Sequence, residues 1–319
     1  MKKTLVNLIF IVLVCTIGVA VLLYNRYVIE SVKISFDIWK NNIFPSLFPF
    51  LIIGNIMINI GLPKFTGEIL NPLFYNLFKI NKNGAFVIIL SMLSGFPSSA
   101  KYIKDLLIKN VINEKEATKL LMFTHFSNPL FILGALSLSF LNNNKIGIYI
   151  LICHYLGNFF IGLIFRNYNS SKKDICKISL KKFIINLNNE INNTKLGYVI
   201  SNAIKESINT LILILGSIST FLILTTLLNN IIIIPNNFKP LLNGFFEMTQ
   251  GLKQLSNLDI SLNYKALISI AILSFGGLSV HMQIITIISD TKIKYFPYLI
   301  SRLIHSFISC FIFYIWKIL

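Results

Sequence analysis

Apolar runs recur along this chain at 4–24, 43–61, 83–95, 117–140, 145–165, 208–234, 266–289 and 296–318. Most reach the roughly 20 residues that carry a helix across about 30 Å of hydrocarbon. Inside hydrocarbon the backbone has no water to bond, which commits each run to helix. With 55% hydrophobic and 13% charged residues, a soluble domain would lack the polar surface to cover itself. The class that follows is an all-α polytopic membrane protein.

The formal charge of +17 does not make this a nucleic-acid binder, because the basic residues sit in short loops between apolar runs. That placement is the positive-inside pattern. Cys15, Cys153, Cys176 and Cys310 are isolated and show no disulfide or zinc spacing, so no metal and no cofactor is expected. No GxxxxGK[ST] loop, paired carboxylates or nucleophile–base motif is present, and an enzyme is not expected. Lys2-Lys3 followed by TLVNLIFIVLVCTIGVAVLLY reads as a retained first span, the N-terminal unit 1–30.

Charge decides the topology. If every run crossed once from a cytoplasmic N-terminus, the loop 166–206 would face outward. It carries Arg166, Lys172, Lys173, Lys177, Lys181, Lys182, Lys195 and Lys205, the largest basic cluster in the chain. The stretch SGFPSSAK, Ser94–Lys101, removes the conflict. Gly95 and Pro97 break the short run 83–95, and the amphipathic AKYIKDLLIKNVI follows. A re-entrant hairpin over 83–110 returns the chain to its starting face, and 167–206 becomes a basic cytoplasmic loop.

The second half shows a similar break at Gly276-Gly277 in ALISIAILSFGGLSVHMQIITIISD. Sliding the first segment by 180 positions puts Ser94 on Ser274, Ser99 on Ser279, Lys101 on His281 and His125 on His305. Two antiparallel repeats with broken helices in matching places are the signature of a secondary-transporter core. The expectation is six full transmembrane helices plus two re-entrant helical hairpins in inverted-repeat arrangement: a first repeat over 36–166, a second over 207–319 with its hairpin at 264–291, and both termini cytoplasmic. Gly and Pro also occur in ordinary kinked membrane helices. The segments 66–79 and 239–255 read as interfacial helices bracing the hairpins, with Glu247 a lesser candidate for ion coupling.

Several strings resemble one family. SGFPSSAK, FTHFSNPLFILGAL and HYLGNFFIGLIFR, with GFFEMTQG and SFGGLSV in the second half, are similar to the sporulation integral membrane protein YlbJ family. The resemblance covers about residues 40–310. Ser98-Ser99 departs from it where a glycine beside the serine is expected. The resemblance implies a likeness to the gate domain of concentrative nucleoside transporters. It also implies a role late in endospore maturation: moving dipicolinic acid from the mother cell across the outer forespore membrane.

For a planar aromatic dianion the candidate ligands lie at the two breaks. At the first, the N–H groups of Ser98, Ser99 and Ala100 follow Pro97 at a helix start and suit an anion. Gly95 makes the turn, Phe96 is placed to stack on the ring, and Lys101 adds charge. At the second, Gly276 and Gly277 precede Ser279 and His281. Ser98 and Ser99 serve equally well as plain caps. Lys101 and Lys104 are also placed to snorkel to the cytoplasmic face. Asp105 is spaced to pair with Lys101 or Lys109.

In the span 117–140, His125, Ser127 and Asn128 are placed to line a substrate path, with Pro129 freeing the His125 carbonyl, and His125 is equally suited to a proton path or to structural hydrogen bonding. His154, Asn158 and Gly162 share a packing face. Arg302, one turn from His305, points to a cavity. Asn209, Thr210, Ser217, Thr220 and Thr225 read as interhelical hydrogen bonders. The expected partners are a small-molecule anion, the lipid bilayer, a coupling ion (proton or sodium) and a second copy of the chain. The competing readings are a nucleoside or other metabolite carrier, and a non-transporting structural protein of sporulation.

Overall fold

The computed structural model describes residues 2–170 and 196–318, and every regular element in them is a helix. The basic loop beyond Asn169-Ser170, with Cys176 and Lys172 to Lys195, lies outside the described residues. The chain is an all-α polytopic membrane protein. Asn25–Asn59, Asn144–Ile164, Leu196–Ile231, Leu262–Ile288 and Tyr295–Ile318 are each long and apolar enough to cross a membrane. Pro72–Phe78 with Lys82–Ser94 makes a sixth candidate if that bent pair is one span.

In chain order, α1 (Lys2–Leu23) leads to α2 (Asn25–Ile38), which continues through a π-turn at Trp39–Ile43 into α3 (Phe44–Asn59). The last turns of α4 (Leu62–Phe78) lie at 87° to α5 (Lys82–Ser94). The Asn81 side chain starts α5 by accepting from the N–H groups of Asn83 and Gly84, and Gly95 ends it at φ +77°. After Gly95-Phe96-Pro97 the chain returns as α6 (Ser98–Ile108), which packs back on α5. This is the hairpin expected over 83–110.

The run 117–140 was expected as one span. It is instead broken: α7 (Glu114–Phe123), a non-helical stretch at 124–128, then a π-helix at Phe131–Phe140. Asn113 and Glu116 form a capping box that starts α7. α8 (Asn144–Ile164) closes the first half. The second half comprises α9 (Leu196–Ile231), α10 (Lys239–Phe246), α11 (Met248–Ser256), α12 (Leu262–Phe275), α13 (Gly277–Ile288) and α14 (Tyr295–Ile318).

Polar contacts sort the loops into two ends of the bundle. At one end the Lys119 ammonium donates to the Lys79 and Arg166 carbonyls at 3.1 and 2.6 Å. Lys104 pairs with Asp290 at 2.7 Å, Lys292 with Glu114 at 3.6 Å, and the Lys294 N–H donates to the Thr118 hydroxyl. The Lys104 hydrogen bond holds the Asp290 carboxyl below its ordinary pKa. At the other end the start of α8 meets the end of α14, where Tyr149 packs edge-on against Trp316 and Lys317 lies over the Tyr149 ring.

This layout corrects the second hairpin. Ser306 donates to the Ala271 carbonyl and Cys310 to that of Leu267, so α12 runs antiparallel to α14. Asp290, just beyond α13, sits with Lys104 at the opposite end from the start of α12. The segment expected as a hairpin over 264–291 therefore traverses the bundle as one helix broken at Gly276. The hairpin of this half lies earlier, at 239–256, where a single interfacial helix was expected. There α10 and α11 pack so closely that a Cβ on Gly251 would lie 2.2 Å from the Gly244 Cα. The end of α14 lies at the end opposite the lysine-rich loops.

Each half thus reads hairpin, broken span, unbroken span: α5–α6, α7 with its π-helix, α8; then α10–α11, α12–α13, α14. The 180-position slide does not describe this repeat. The offset that carries Asn144 at the start of α8 onto Tyr295 at the start of α14 carries His154 onto His305. It also carries the turn 95–97 onto 246–248 and the break 124–128 onto 275–279. The two hairpins enter from opposite ends, the first from the lysine-rich one.

Candidate functional site

Both hairpin tips end at the two breaks, in mid-bundle. An unwound stretch there leaves backbone groups without helical partners, which must be satisfied by neighbours. Around 124–128 the neighbours do so residue by residue. The Phe96 N–H from the first tip donates to the Phe126 carbonyl at 2.8 Å. The Ser127 N–H donates to His154 Nε2 at 2.9 Å. The Tyr155 hydroxyl donates to the Ser127 and Met92 carbonyls. Arg302 donates to the Met122 carbonyl, just before the break.

Asn128 is fully employed as a clamp. Its amide NH₂ donates to the Ser46 and Leu93 carbonyls at 3.1 and 3.0 Å, and its oxygen accepts from the Leu130 N–H at 2.7 Å. Gly95 packs against it, and a Cβ there would lie 2.6 Å from the Asn128 nitrogen. The Phe96–Pro97 peptide is cis.

All four histidines of the sequence gather here, buried, with Arg302. The His125 ring stacks on Phe96 with centroids 4.2 Å apart, and its Nδ1 lies 2.8 Å from the Tyr298 hydroxyl. A Cβ on Gly276 would meet His125 Nε2 at 2.8 Å, so this histidine stands between the first tip and the second break. His154 Nε2 accepts from a backbone N–H, which fixes its proton on Nδ1, facing the Ser274 hydroxyl at 3.1 Å. His305 donates from Nε2 to the His154 carbonyl and presents Nδ1 to Arg302 at 2.8 Å. Both rings are therefore neutral. His281 donates to the Phe275 carbonyl and meets the Tyr295 hydroxyl at 2.7 Å.

These bonds revise the roles expected of the basic residues. Lys101 pairs with Glu206 on α9 at 3.3 Å and adds no free charge to the turn. Arg302 was expected to face a cavity; it is fully buried among neutral partners, Met122, Asn158, Ser301 and His305, over the Tyr298 ring. The Ala100 N–H, expected free, donates to the Pro97 carbonyl. His154 and Asn158 do sit on a packing face, for Gly157 and Gly162 press against Ser309 and Phe78. Of the α9 hydroxyls, Thr210, Ser217 and Thr220 bond back to their own helix, and Thr225 reaches Gln250 on α11.

A cavity of about 40 Å³ lies between the tips, room for a water or two. Of the residues expected to bind substrate, Phe96, Pro97 and Asn128 line it; Gly95, Ser98, Ser99, Lys101, His125, Gly276, Gly277, Ser279, His281 and Arg302 are not among its lining residues. Gly276 and Gly277 hold φ of +93° and +68° at the second break, where Gly277 presses on the Gly244 carbonyl and Met248 nitrogen. Ser127, named with Asn128 as a path-lining candidate, lines it too; the lining adds Ser46, Thr249 and Gln283, which sequence reasoning passed over, and Glu247, which it ranked low. Glu247 sits in the turn between α10 and α11, where its carboxylate caps α11 by accepting the Gln250 N–H at 2.7 Å. The signal available in the sequence was GFFEMTQG: an acid with a glutamine three residues on, flanked by glycines seven apart, which marks a new helix start.

Comparison with known proteins gives one strong relative. The sporulation integral membrane protein YlbJ of Bacillus subtilis (strain 168) is 34% identical over 315 residues, covering 90% of this chain and 77% of the relative. No family model matches the chain, and no solved structure matches it.

Proposed function

This chain belongs to the sporulation integral membrane protein YlbJ family, and we propose that it carries a small organic anion, dipicolinic acid, through the membrane between its two hairpin tips. The observation that carries this reading is the meeting of two hairpins, entering from opposite ends, at a mid-bundle cavity flanked by two broken spans. Secondary transporters place their substrate sites in such surroundings. Pro97, the N-cap of α6, lines the cavity, so the positive end of that helix faces it.

The cavity is small, about 40 Å³. Sites for drug-sized ligands run to ~300–1,000 Å³, so passage requires the tips to part and admit the ring beside Phe96. With the lysine-rich end cytoplasmic, the first hairpin opens toward the mother cell and the second toward the space between the forespore membranes. The membrane in this reading is the outer forespore membrane.

The Glu247 carboxylate in the lining favours a second reading, an uncharged donor-rich substrate such as a nucleoside. Uptake by the purified protein in proteoliposomes separates the two. Saturable dipicolinate uptake that excess uridine does not inhibit is the expected result. Uridine uptake without dipicolinate uptake overturns the anion reading, and uptake of neither favours a structural role.

A further inference from the structure

We propose that Glu247 is a proton-binding site of the tip cavity and that the transported anion enters only when this carboxyl is protonated; the second clause rests on the transport reading above. Glu247 is 1% exposed and faces a cavity too small for more than a water or two. The lining side chains around it come from several elements: Ser46 on α3, Phe96 and Pro97 at the first tip, Ser127 and Asn128 in the first break, Phe131 on the π-helix, Thr249 on α11, Gln283 on α13, and Ile214 with Ile218 on α9. None of them is charged or titratable. The ionisable groups on the packed elements do not line the cavity: His125 in the first break faces the Tyr298 hydroxyl, His281 on α13 meets Tyr295 and the Phe275 carbonyl, Glu206 on α9 pairs with Lys101, Lys265 on α12 donates to the Ser256 carbonyl, and Tyr198, Lys205 and Lys253 are exposed.

A carboxylate at this depth needs a counter-charge or a proton. The Gln250 N–H and the positive end of the short helix α11, which Glu247 caps, stabilise the carboxylate in part but supply no full counter-charge. Among the described residues no group of three His, Cys, Asp or Glu side chains is arranged to hold a metal ion; a cation held by the amide and hydroxyl oxygens of the lining is the alternative that the sodium arm of the test below addresses. A proton requires no ligand shell. It also turns the group from an acceptor that repels an anion into an O–H that donates to it. Two like charges about 4 Å apart, at an effective dielectric of ~20, weaken binding roughly 1,000-fold. That factor makes proton and anion arrive together.

Two measurements test this. The first needs no substrate. Dicyclohexylcarbodiimide, which adds to protonated carboxyls in apolar surroundings, should modify Glu247 of the wild-type protein in detergent near neutral pH and lose reactivity as pH rises. An infrared difference spectrum against Glu247→Gln should show a protonated-carboxyl band. An unreactive Glu247 across that pH range, or protection by sodium at constant pH, overturns the proton site. The second measurement follows dipicolinate in proteoliposomes. The wild type should accumulate it along an imposed pH gradient, while Glu247→Gln should exchange it without accumulation. Gradient-driven accumulation retained by Glu247→Gln overturns the inference and leaves the transport reading standing. A protonated Glu247 without dipicolinate uptake in the wild type overturns the substrate and leaves the proton site. If the variant fails to fold, the wild-type labelling still decides.

Discussion

A single methyl group at Gly95 tests how tightly the first tip is built. Its φ of +77° is a left-handed conformation, and a Cβ there would lie 2.6 Å from the Asn128 nitrogen. Backbone strain alone costs about 1–2 kcal/mol, and the clash adds to it, because Asn128 is held by bonds to α3, α5 and the π-helix. Gly95→Ala should lower the melting temperature in detergent clearly, whereas Gly134→Ala, with nothing within 4 Å, should leave it nearly unchanged. Equal melting temperatures would show that the tip is not clamped. The basic residues that stood out in the sequence as anion ligands all have protein partners here: Arg302 bonds Met122, Asn158, Ser301 and His305, His281 bonds the Phe275 carbonyl and Tyr295, and Lys101 pairs with Glu206. A basic residue in an apolar run announces a polar task, yet which partner answers it is set by placement in space.

At the scale of elements, the corrected second half makes a claim about faces. If α12 and α13 traverse the bundle, the loop before them and the loop after them lie on opposite sides of the membrane. Cysteines introduced singly as Asp259→Cys and Lys292→Cys, both in loops, should react with an impermeant maleimide from opposite sides of oriented vesicles. Reaction from the same side would restore the hairpin at 264–291. The first hairpin was legible because Gly95 and Pro97 fall two residues apart at the end of a run too short to span and the loop charges demanded an even number of crossings. The second was misplaced because Gly276-Gly277 is a louder signal than Glu247. Two glycines with positive φ are compatible with a kinked span as well as with a turn, and only the antiparallel register against α14 separates the two. The break at 124–128 was half legible: Pro129 pointed to it, but the helpers that stabilise it, Tyr155, His154 and Arg302, come from distant positions in the chain.

For the whole molecule, the two halves meet where their corresponding parts face one another. His154 and His305 pack with ring centroids 4.8 Å apart, and the turns of both hairpins line one cavity. Phe96, Pro97 and Asn128 were readable as part of that site from their own neighbourhood. Glu247, Thr249 and Gln283 were not, since they join it through the pairing of the two halves. The account stands on those tips moving apart to pass substrate. Pro97→Cys and Met248→Cys, introduced together with the four native cysteines replaced by serine, put one thiol on each tip beside the shared cavity. Bridging them with a short, cleavable bifunctional thiol reagent should stop dipicolinate uptake into proteoliposomes, and cleaving the bridge should restore it. Undiminished uptake with the bridge intact would contradict the account.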